Sequence, residues 1–391
     1  MIYNSIVPYS HKEIVAIFRS LFSTHNFIDD CEEKLYEITG KYAVLTDSGL
    51  SAILVYLYLN NIISGDEIIV PAYLCKHVGR GLQEKGYKLK FVDVNNNYNI
   101  STSDLLKKIS SKTKVVLAVH TYGIPCDIHK IKEITKQNNA LLIEDSAQSF
   151  CTTVNNIILG TIGDCGIYSF GWFKPISAMG GGAFISDDLD LIKKAKKLLC
   201  RKSTIREKST KGAKGLLYLN KYLYHKIVVG SYNHVQNQIN KAVPDDNEKH
   251  SIVKYRSILN IQASLALCQF KRVQKYNEKR IANAVEIIEN IKSGRLVVPE
   301  EATKYPLLRL PVFIEGIEQD KVNQISKILF ENMIDAPMLY PYLPSLLNIE
   351  APLCCTAKKL SDKTLHLPIH PGISKKDIKN IIQQLKLMKD L

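Results

Sequence analysis

The sequence lacks the cysteine patterns that would announce a metal centre or a disulfide scaffold. Its nine cysteines are scattered, only Cys354 and Cys355 adjoin, and no CxxC pair or Cys/His ligand spacing occurs. That excludes a zinc module and a cross-linked secreted fold, so no metal is expected and most cysteines read as small buried hydrophobes. Long apolar runs are missing too, which argues against a membrane span. The first residues, Met1 to Pro8, have neither the basic start nor the apolar stretch of a signal peptide, and a cytoplasmic protein is expected. Acidic charge is scarce: 38 Asp and Glu stand against 52 Lys and Arg, for a net charge of +14. Between Arg201 and Lys226, eight basic side chains face only Glu207. Such an excess suits nucleic acid, an anionic surface or an anionic small substrate. No helix-turn-helix, zinc-finger or RNA-binding aromatic motif accompanies it, so no nucleic-acid partner is expected. The run reads first as a solvated face and second as an aid to attracting phosphorylated substrates.

What is present is an ordinary globular balance, 46% hydrophobic and 23% charged over 391 residues, enough for two domains. Short, apolar, β-branched segments recur at Glu67–Val70, Leu89–Val94, Val115–His120, Leu141–Ile143, Cys165–Phe170 and Gly182–Ile185. Strands covered on both faces have this character. Helical patterns such as Leu105–Ile109 and Ile128–Asn138 separate some of them, implying an α/β fold around a mostly parallel sheet flanked by helices. A long helix is expected over Ile258–Asn290. Beyond it come a strand over Leu307–Phe313, a helix over Gln319–Asn332, a strand over Leu365–Ile369 and a terminal helix from Lys375. This second part reads as a smaller α+β C-terminal domain. The boundary is placed at 250, giving a large domain of 1–250 and a small one of 251–391.

Three segments carry chemistry. The first holds Lys174, which follows the apolar segment ending Ser169-Phe170, has Trp172, Phe173, Pro175 and Ile176 as flanks, and precedes the glycines 180–182. A desolvated lysine loses its proton readily and becomes a nucleophile suited to Schiff-base chemistry on a pyridine-type cofactor; a lysine in an exposed loop is the plainer alternative. The second is Glu144-Asp145-Ser146-Ala147-Gln148, at the end of an apolar strand, where α/β enzymes commonly bind ligands. There Asp145 suits pairing with a protonated ring nitrogen, Ala147 contact with a ring face, and Gln148 a hydrogen bond to a ring oxygen. The alternative is that Asp145 caps a following turn. In the third, Thr46-Asp47-Ser48-Gly49-Leu50, Ser48 suits an N-cap and Gly49 close backbone approach, together a phosphate cradle at a helix start. Capping serines open many helices without binding anything.

In combination these segments resemble the DegT/StrS group of sugar aminotransferases that depend on pyridoxal phosphate (PLP). The resemblance runs through Ser48-Gly49 after Ala43-Val44-Leu45, Gly65 to Ala72, His120 to Asp127, Glu144 to Gln148, Gly163-Asp164, Ser169-Phe170 with Lys174, Gly181-Gly182 and Leu367 to Pro371. It implies the type I fold of PLP-dependent transferases and a homodimer with shared active sites. The implied reaction moves an amino group from glutamate to a nucleotide-linked keto sugar, as in amino-sugar synthesis for surface glycans or secondary metabolites. By position, Lys174 binds the cofactor covalently and then shuttles protons, Asp145 pairs with the ring nitrogen, and Gln148 approaches the ring hydroxyl. Ser169 joins Ser48, Gly49 and Leu50 around the phosphate. Some relatives replace this lysine with histidine and dehydrate instead, so Lys174 favours transamination. Two other readings keep the fold: a transaminase whose carbonyl substrate carries no nucleotide, and a non-catalytic binding or regulatory protein.

Several residues depart from the family pattern. Leu50 stands where a threonine is common, removing one hydroxyl from the phosphate site. Cys75 occupies the place of an aromatic that stacks on the cofactor; either Tyr73 takes over or Cys75 packs there. Met179-Gly180 replace a common Gly-Glu. Lys254, in Lys254-Tyr255-Arg256, replaces an asparagine that reaches the neighbouring subunit's phosphate.

Overall fold

Alternate residues along each central strand bury on opposite sides of one sheet, as the two-residue strand period requires. Ile68, Val70, Val115 and Leu117 join one apolar cluster, while Ile69, Val116, Ala118 and Leu142 join another. The computed structural model describes residues 1–5, 9–203, 255–291 and 294–387. Its strands are β1 (Tyr42–Thr46), β2 (Glu67–Pro71), β3 (Lys88–Val92), β4 (Thr113–Val119), β5 (Leu141–Asp145), the small hairpin β6 (Thr153–Val154) and β7 (Ile157–Ile158), β8 (Cys165–Ser169) and β9 (Gly182–Ser186). Seven of them form the order β1-β9-β8-β5-β4-β2-β3. The pairings from β8 through β5, β4 and β2 to β3 are parallel, and β9 runs antiparallel to both its neighbours.

The helices that cover this sheet follow from local signals. In α1 (His11–Phe22), Ser10 and Glu13 form a capping box, and α2 (Phe27–Thr39) ends on Gly40 in the left-handed conformation. Ser48 caps α3 (Gly49–Leu59), whose residues Ser51 to Leu57 are buried, so it runs through the core rather than over it. The remaining layer elements are α4 (Lys76–Glu84), α5 (Thr102–Lys108), α6 (Ile128–Gln137) and α7 (Leu189–Ser203). Residues of α5 and α6 cover the Ile69/Val116 face, and residues of α3 and α7 cover the other.

The long helix expected over Ile258–Asn290 is two helices, α8 (Asn260–Phe270) and α9 (Val273–Ile291). No proline or glycine breaks it. Tertiary contacts do: α8 packs with α1 and α2 against the sheet, whereas Ala284, Ile287 and Ile291 of α9 enter a different apolar cluster. At the joint, Arg272 pairs with Glu13 of α1. A three-stranded sheet follows, ordered β10 (Leu296–Val297), β11 (Leu310–Ile314), β12 (Thr364–Leu367). The remaining helices are α10 (Gln319–Glu331), α11 (Leu343–Leu346), α12 (Cys355–Lys363) and α13 (Lys375–Leu387). The expected boundary at 250 and nearly all of the basic run lie outside the described residues. Among the described residues, no disulfide forms, no group of side chains could hold a metal, and no helix is long and apolar enough to cross a membrane.

Candidate active site

Strand direction decides where the chemistry gathers. The parallel strands β2, β4 and β5 all point their C-terminal ends toward one cavity, the place where open α/β sheets bind ligands. Ser48, Gly49, Leu50, Cys75, Asp145, Gln148, Ser169 and Lys174 all line it, together with Tyr73, His77, Thr121, Ala147 and Tyr340. Of the residues singled out in the sequence as site residues, only Lys254 is missing, because it lies outside the described residues.

Alternation separates the two acids of β5. Glu144 turns from the cavity and accepts hydrogen bonds from His120 Nε2 (2.8 Å), Gly160 N (2.7 Å), Ile162 N and Gly163 N (2.8 Å each). The Cys126 N–H donates to His120 Nδ1, so the imidazole is neutral and its proton sits on Nε2. Asp145 faces the cavity and is buried. Its Oδ1 accepts the Ala147 N–H at 2.9 Å, so it does cap a turn as well as line the site. Burial pushes the Asp145 carboxyl above its ordinary range, against the opposing pull of Lys174 and the Ala147 N–H.

Lys174 sits on the loop between β8 and β9, half-buried, and lines the cavity. Burial lowers its pKa; nearby Cys75 and Asp145 oppose the change and Arg309 adds to it. The loop is held from behind by α8. Gln269 accepts the Ser177 N–H (2.7 Å) and donates to the Ser177 carbonyl (2.6 Å), while the Tyr9 hydroxyl donates to the same carbonyl (3.1 Å). The loop returns through Met179, Gly180 and Gly181, all with positive φ (60°, 132° and 98°). Met179 therefore holds a left-handed position that favours glycine, and its buried side chain joins an apolar cluster with Phe170 and Ile258.

The phosphate-cradle expectation acquires a geometry here. Ser48 Oγ accepts the Ser51 N–H at 3.1 Å, fixing the start of α3. A Cβ on Gly49 would lie 3.2 Å from Ser169 Cβ, and one on Gly182 would lie 2.5 Å from the Gly49 nitrogen. The two glycines thus let the helix start, β8 and β9 meet. Leu50 does something the sequence did not reveal: its side chain packs against α4, where a Cβ on Gly81 would come within 2.5 Å of it.

Around Cys75 the aromatic surface comes from elsewhere. Tyr73 is buried, its ring 5.2 Å from that of Tyr340, and its hydroxyl bonds that of Tyr122. Tyr122 in turn meets His366 Nε2 at 2.5 Å. Burial lowers the His366 pKa to about 3, against the Pro337 carbonyl and with Arg309 adding to the fall, so this ring is neutral. Gln148 Oε1 accepts from Tyr122 N (3.2 Å) and the Tyr340 hydroxyl (3.3 Å). Tyr340 was not anticipated, nor were Thr121 and His77. The proline-rich stretch around Tyr340 carried no motif, and its contact with Gln148 spans 192 positions.

These residues suit a phosphorylated aromatic cofactor. Hydroxyls and a helix start lie on one side, and a carboxylate, an amine and aromatic rings on the other. Thr121 Oγ1 is buried without a partner in the cavity wall, and Gln148 Nε2 takes no protein acceptor among the described residues. The mostly parallel sheet between helices, with this lysine and carboxylate at its strand ends, has the type I fold of PLP-dependent transferases. The chain belongs to the DegT/DnrJ/EryC1/StrS aminotransferase family, whose profile matches residues 7–386. Among curated proteins it is 34% identical over 171 residues to a GDP-perosamine synthase of Escherichia coli O157:H7, covering 43% of this chain and 47% of that protein. It thus spans about half the length of that relative. Among solved structures, it superposes on the Helicobacter pylori aminotransferase involved in the biosynthesis of pseudoaminic acid with a TM-score of 0.79 at 20% identity, covering 100% of this chain and 99% of the other. It is also similar to the E. coli GDP-4-keto-6-deoxy-D-mannose-3-dehydratase with bound hydrated PLP, with a TM-score of 0.76 at 20% identity over 98% and 99%.

Proposed function

We propose that this chain is a PLP-dependent aminotransferase that takes an amino group from glutamate and delivers it to a keto sugar carried on a nucleotide. The observation that carries the reading is the convergence of Lys174 and Asp145 on one cavity that Ser48, Gly49 and Ser169 also wall. When bound, the cofactor supplies an electron sink for bonds broken at the amino-bearing carbon. Asp145 holds the proton on the ring nitrogen, its negative charge stabilised there by the opposite charge it faces. Lys174 holds the cofactor between turnovers and moves the proton at the reacting carbon, a task for which a depressed pKa keeps its amine available. The start of α3 and the Ser169 hydroxyl hold the phosphate. Leu50 contributes backbone only, since its side chain is committed to α4. Gln148 presents its amide nitrogen to the ring hydroxyl. Tyr73 and Tyr340, rather than Cys75, supply the aromatic surface.

The nucleotide-linked substrate is supported by the names of relatives, and Lys174 favours transamination over the dehydration named for one of them. A homodimer with shared sites, the reach of Lys254 to a partner subunit's phosphate, a cytoplasmic location and the division into domains near residue 250 complete the reading. The test is optical. Purified protein with PLP should absorb above the protein band and bleach on addition of glutamate, and Lys174→Ala should stay folded yet lose both the covalently held cofactor and transamination. A Lys174→Ala protein with undiminished transaminase activity would sink the reading. A panel of keto sugars, with and without nucleotide, then separates the two classes of acceptor.

A further inference from the structure

Asp47 stands between β1 and the start of α3, half-buried and one residue before the Ser48-Gly49 pair of the phosphate cradle. Its backbone ties separate segments together. The Asp47 N–H donates to the Arg256 carbonyl at 3.0 Å, and its own carbonyl accepts the Gly181 N–H at 2.8 Å. Its carboxylate turns onto the first turn of α3, where Oδ1 accepts the Ser51 hydroxyl and, at 3.4 Å, the Ser48 hydroxyl. Ser48 Oγ in turn accepts the Ser51 N–H at 3.1 Å. The hydroxyl proton of Ser48 is therefore given to a carboxylate, although the residue lines the cavity. Asp47 brings to this helix start the negative charge that a phosphate would otherwise bring.

The surroundings leave that charge weakly compensated. Burial raises the Asp47 carboxyl above its ordinary range, while the hydroxyls of Ser51 and Ser48 and the charge of Arg256 oppose the change. Around Asp47 stand the start of α3, glycines 180–182 and the segment holding Tyr255 and Arg256. Among their described residues Arg256 is the one charged side chain, and it is exposed. Tyr255 is the other titratable group there; burial raises its phenol, so it stays neutral.

We propose that Asp47 sets the charge of the phosphate cradle, and that the cofactor's phosphate binds with uptake of a proton by the Asp47 carboxylate. This role rests on the PLP reading and adds a positioning residue that acts through Ser48. Two effects drive the uptake. A phosphate anion at Ser48 is repelled by an ionised carboxylate bonded to that same serine, and a proton on the carboxylate relieves the repulsion. Protonation also reverses a hydrogen bond: a neutral carboxyl donates through its own O–H, which releases the Ser48 hydroxyl to donate to the phosphate. The proton comes from solvent, and no covalent bond changes in this step.

The experiment uses the cofactor-free protein, its Asp47→Asn and Ser51→Ala variants, and two ligands, PLP and pyridoxal, which differ only in the phosphate. Absorbance titration of wild type comes first; a wild type that forms no absorbing complex with PLP removes the cofactor reading itself. Given a complex, Asp47→Asn at pH 8 should bind PLP about 3- to 10-fold more tightly, the scale of one repulsive charge contact in a partly buried site. Its affinity for pyridoxal should stay within about twofold of wild type, since no phosphate then meets the carboxylate. Calorimetry in two buffers of different ionisation enthalpy counts protons. Wild type should take up about half a proton or more beyond Asp47→Asn on binding PLP near neutrality. Protons exchanged by Lys174 and by the phosphate itself are common to both proteins and cancel. Ser51→Ala removes a hydroxyl that holds the Asp47 charge and should tighten PLP by a smaller factor; it carries the test if Asp47→Asn does not fold. Equal proton counts in the two proteins overturn the proposal. So does unchanged or weaker PLP binding by Asp47→Asn, or an equal change toward both ligands, which would leave Asp47 a structural cap alone.

Discussion

Asp145 and Lys174 face one cavity from different strands, and burial moves their proton affinities in opposite directions: the carboxyl upward, the amine downward. Each charge partly reverses the shift of the other. For Asp145→Asn we expect a folded protein with transamination slowed by about 100-fold or more, the scale of a lost electrostatic partner in a closed site. Single-turnover absorbance with glutamate checks it, and an unaltered rate would remove Asp145 from the site.

On the proposed role of Lys174, the same pair sets a pH dependence for uptake of PLP by the cofactor-free protein, since only a neutral amine bonds the cofactor. A depressed pKa means that this amine persists to lower pH than on a surface lysine. Asp145→Asn removes a charge that favours the lysine cation, so the acidic limb of the uptake rate should move to still lower pH. Arg309→Gln removes an opposing cation and should move it to higher pH. Shifts in the reverse sense would contradict the arrangement.

Gly182 lets β9 meet the start of α3 by having no side chain. An added Cβ would meet the Gly49 nitrogen at 2.5 Å, the Ser48 carbonyl carbon at 2.6 Å and the Tyr168 carbonyl oxygen at 2.8 Å. All three are backbone atoms and none can rotate away. Gly182→Ala should therefore cost about 1–3 kcal/mol by overpacking and weaken PLP binding together with it. Denaturant unfolding and a PLP titration measure the two effects.

Leu50 and Gly81 form a complementary pair, and Leu50→Thr sets two effects against each other. A hydroxyl at the start of α3 adds a donor for phosphate, worth about 1 kcal/mol, or roughly fivefold in affinity. Losing buried leucine atoms against Gly81 costs about 1–2 kcal/mol of stability. The expected variant binds PLP more tightly and unfolds at lower denaturant. Tighter binding with no loss of stability would show that the Leu50 packing is dispensable.

Glu144 is expected to act through stability rather than chemistry. Burial would raise its pKa, but the His120 hydrogen bond and the N–H groups of Gly163 and Gly160 outweigh that and leave it below the ordinary 4.5. Its contribution is thus present above about pH 4.5 and is lost as pH falls through the lower folded value. Glu144→Gln should cost about 1–3 kcal/mol near neutrality, the scale of lost hydrogen bonds to a buried charged acceptor, with wild type and variant converging in acid. A gap that stays constant down to low pH would count against this account.

Much of the sheet was legible because its strands are short, apolar and covered on both faces, and such segments announce themselves locally. The loop glycines and the Ser48 cap were legible for the same reason, since each satisfies a nearby backbone requirement. The break at Lys271–Arg272 was not, because α8 and α9 separate only through what they pack against. Nor was Tyr340, whose ring reaches Tyr73 and Gln148 from the far end of the chain.

By itself the sequence determined the strand pattern, the family pattern and the choice of Lys174 and Asp145 as candidates for the reactive amine and its acid. Those depend on residue type and short spacing. The tertiary structure alone decided which acid of β5 faces the cavity, that Leu50 serves α4, and which aromatic rings stand near Cys75. Strand pleat, helix packing and contacts across hundreds of residues set those, and no local stretch of sequence encodes them.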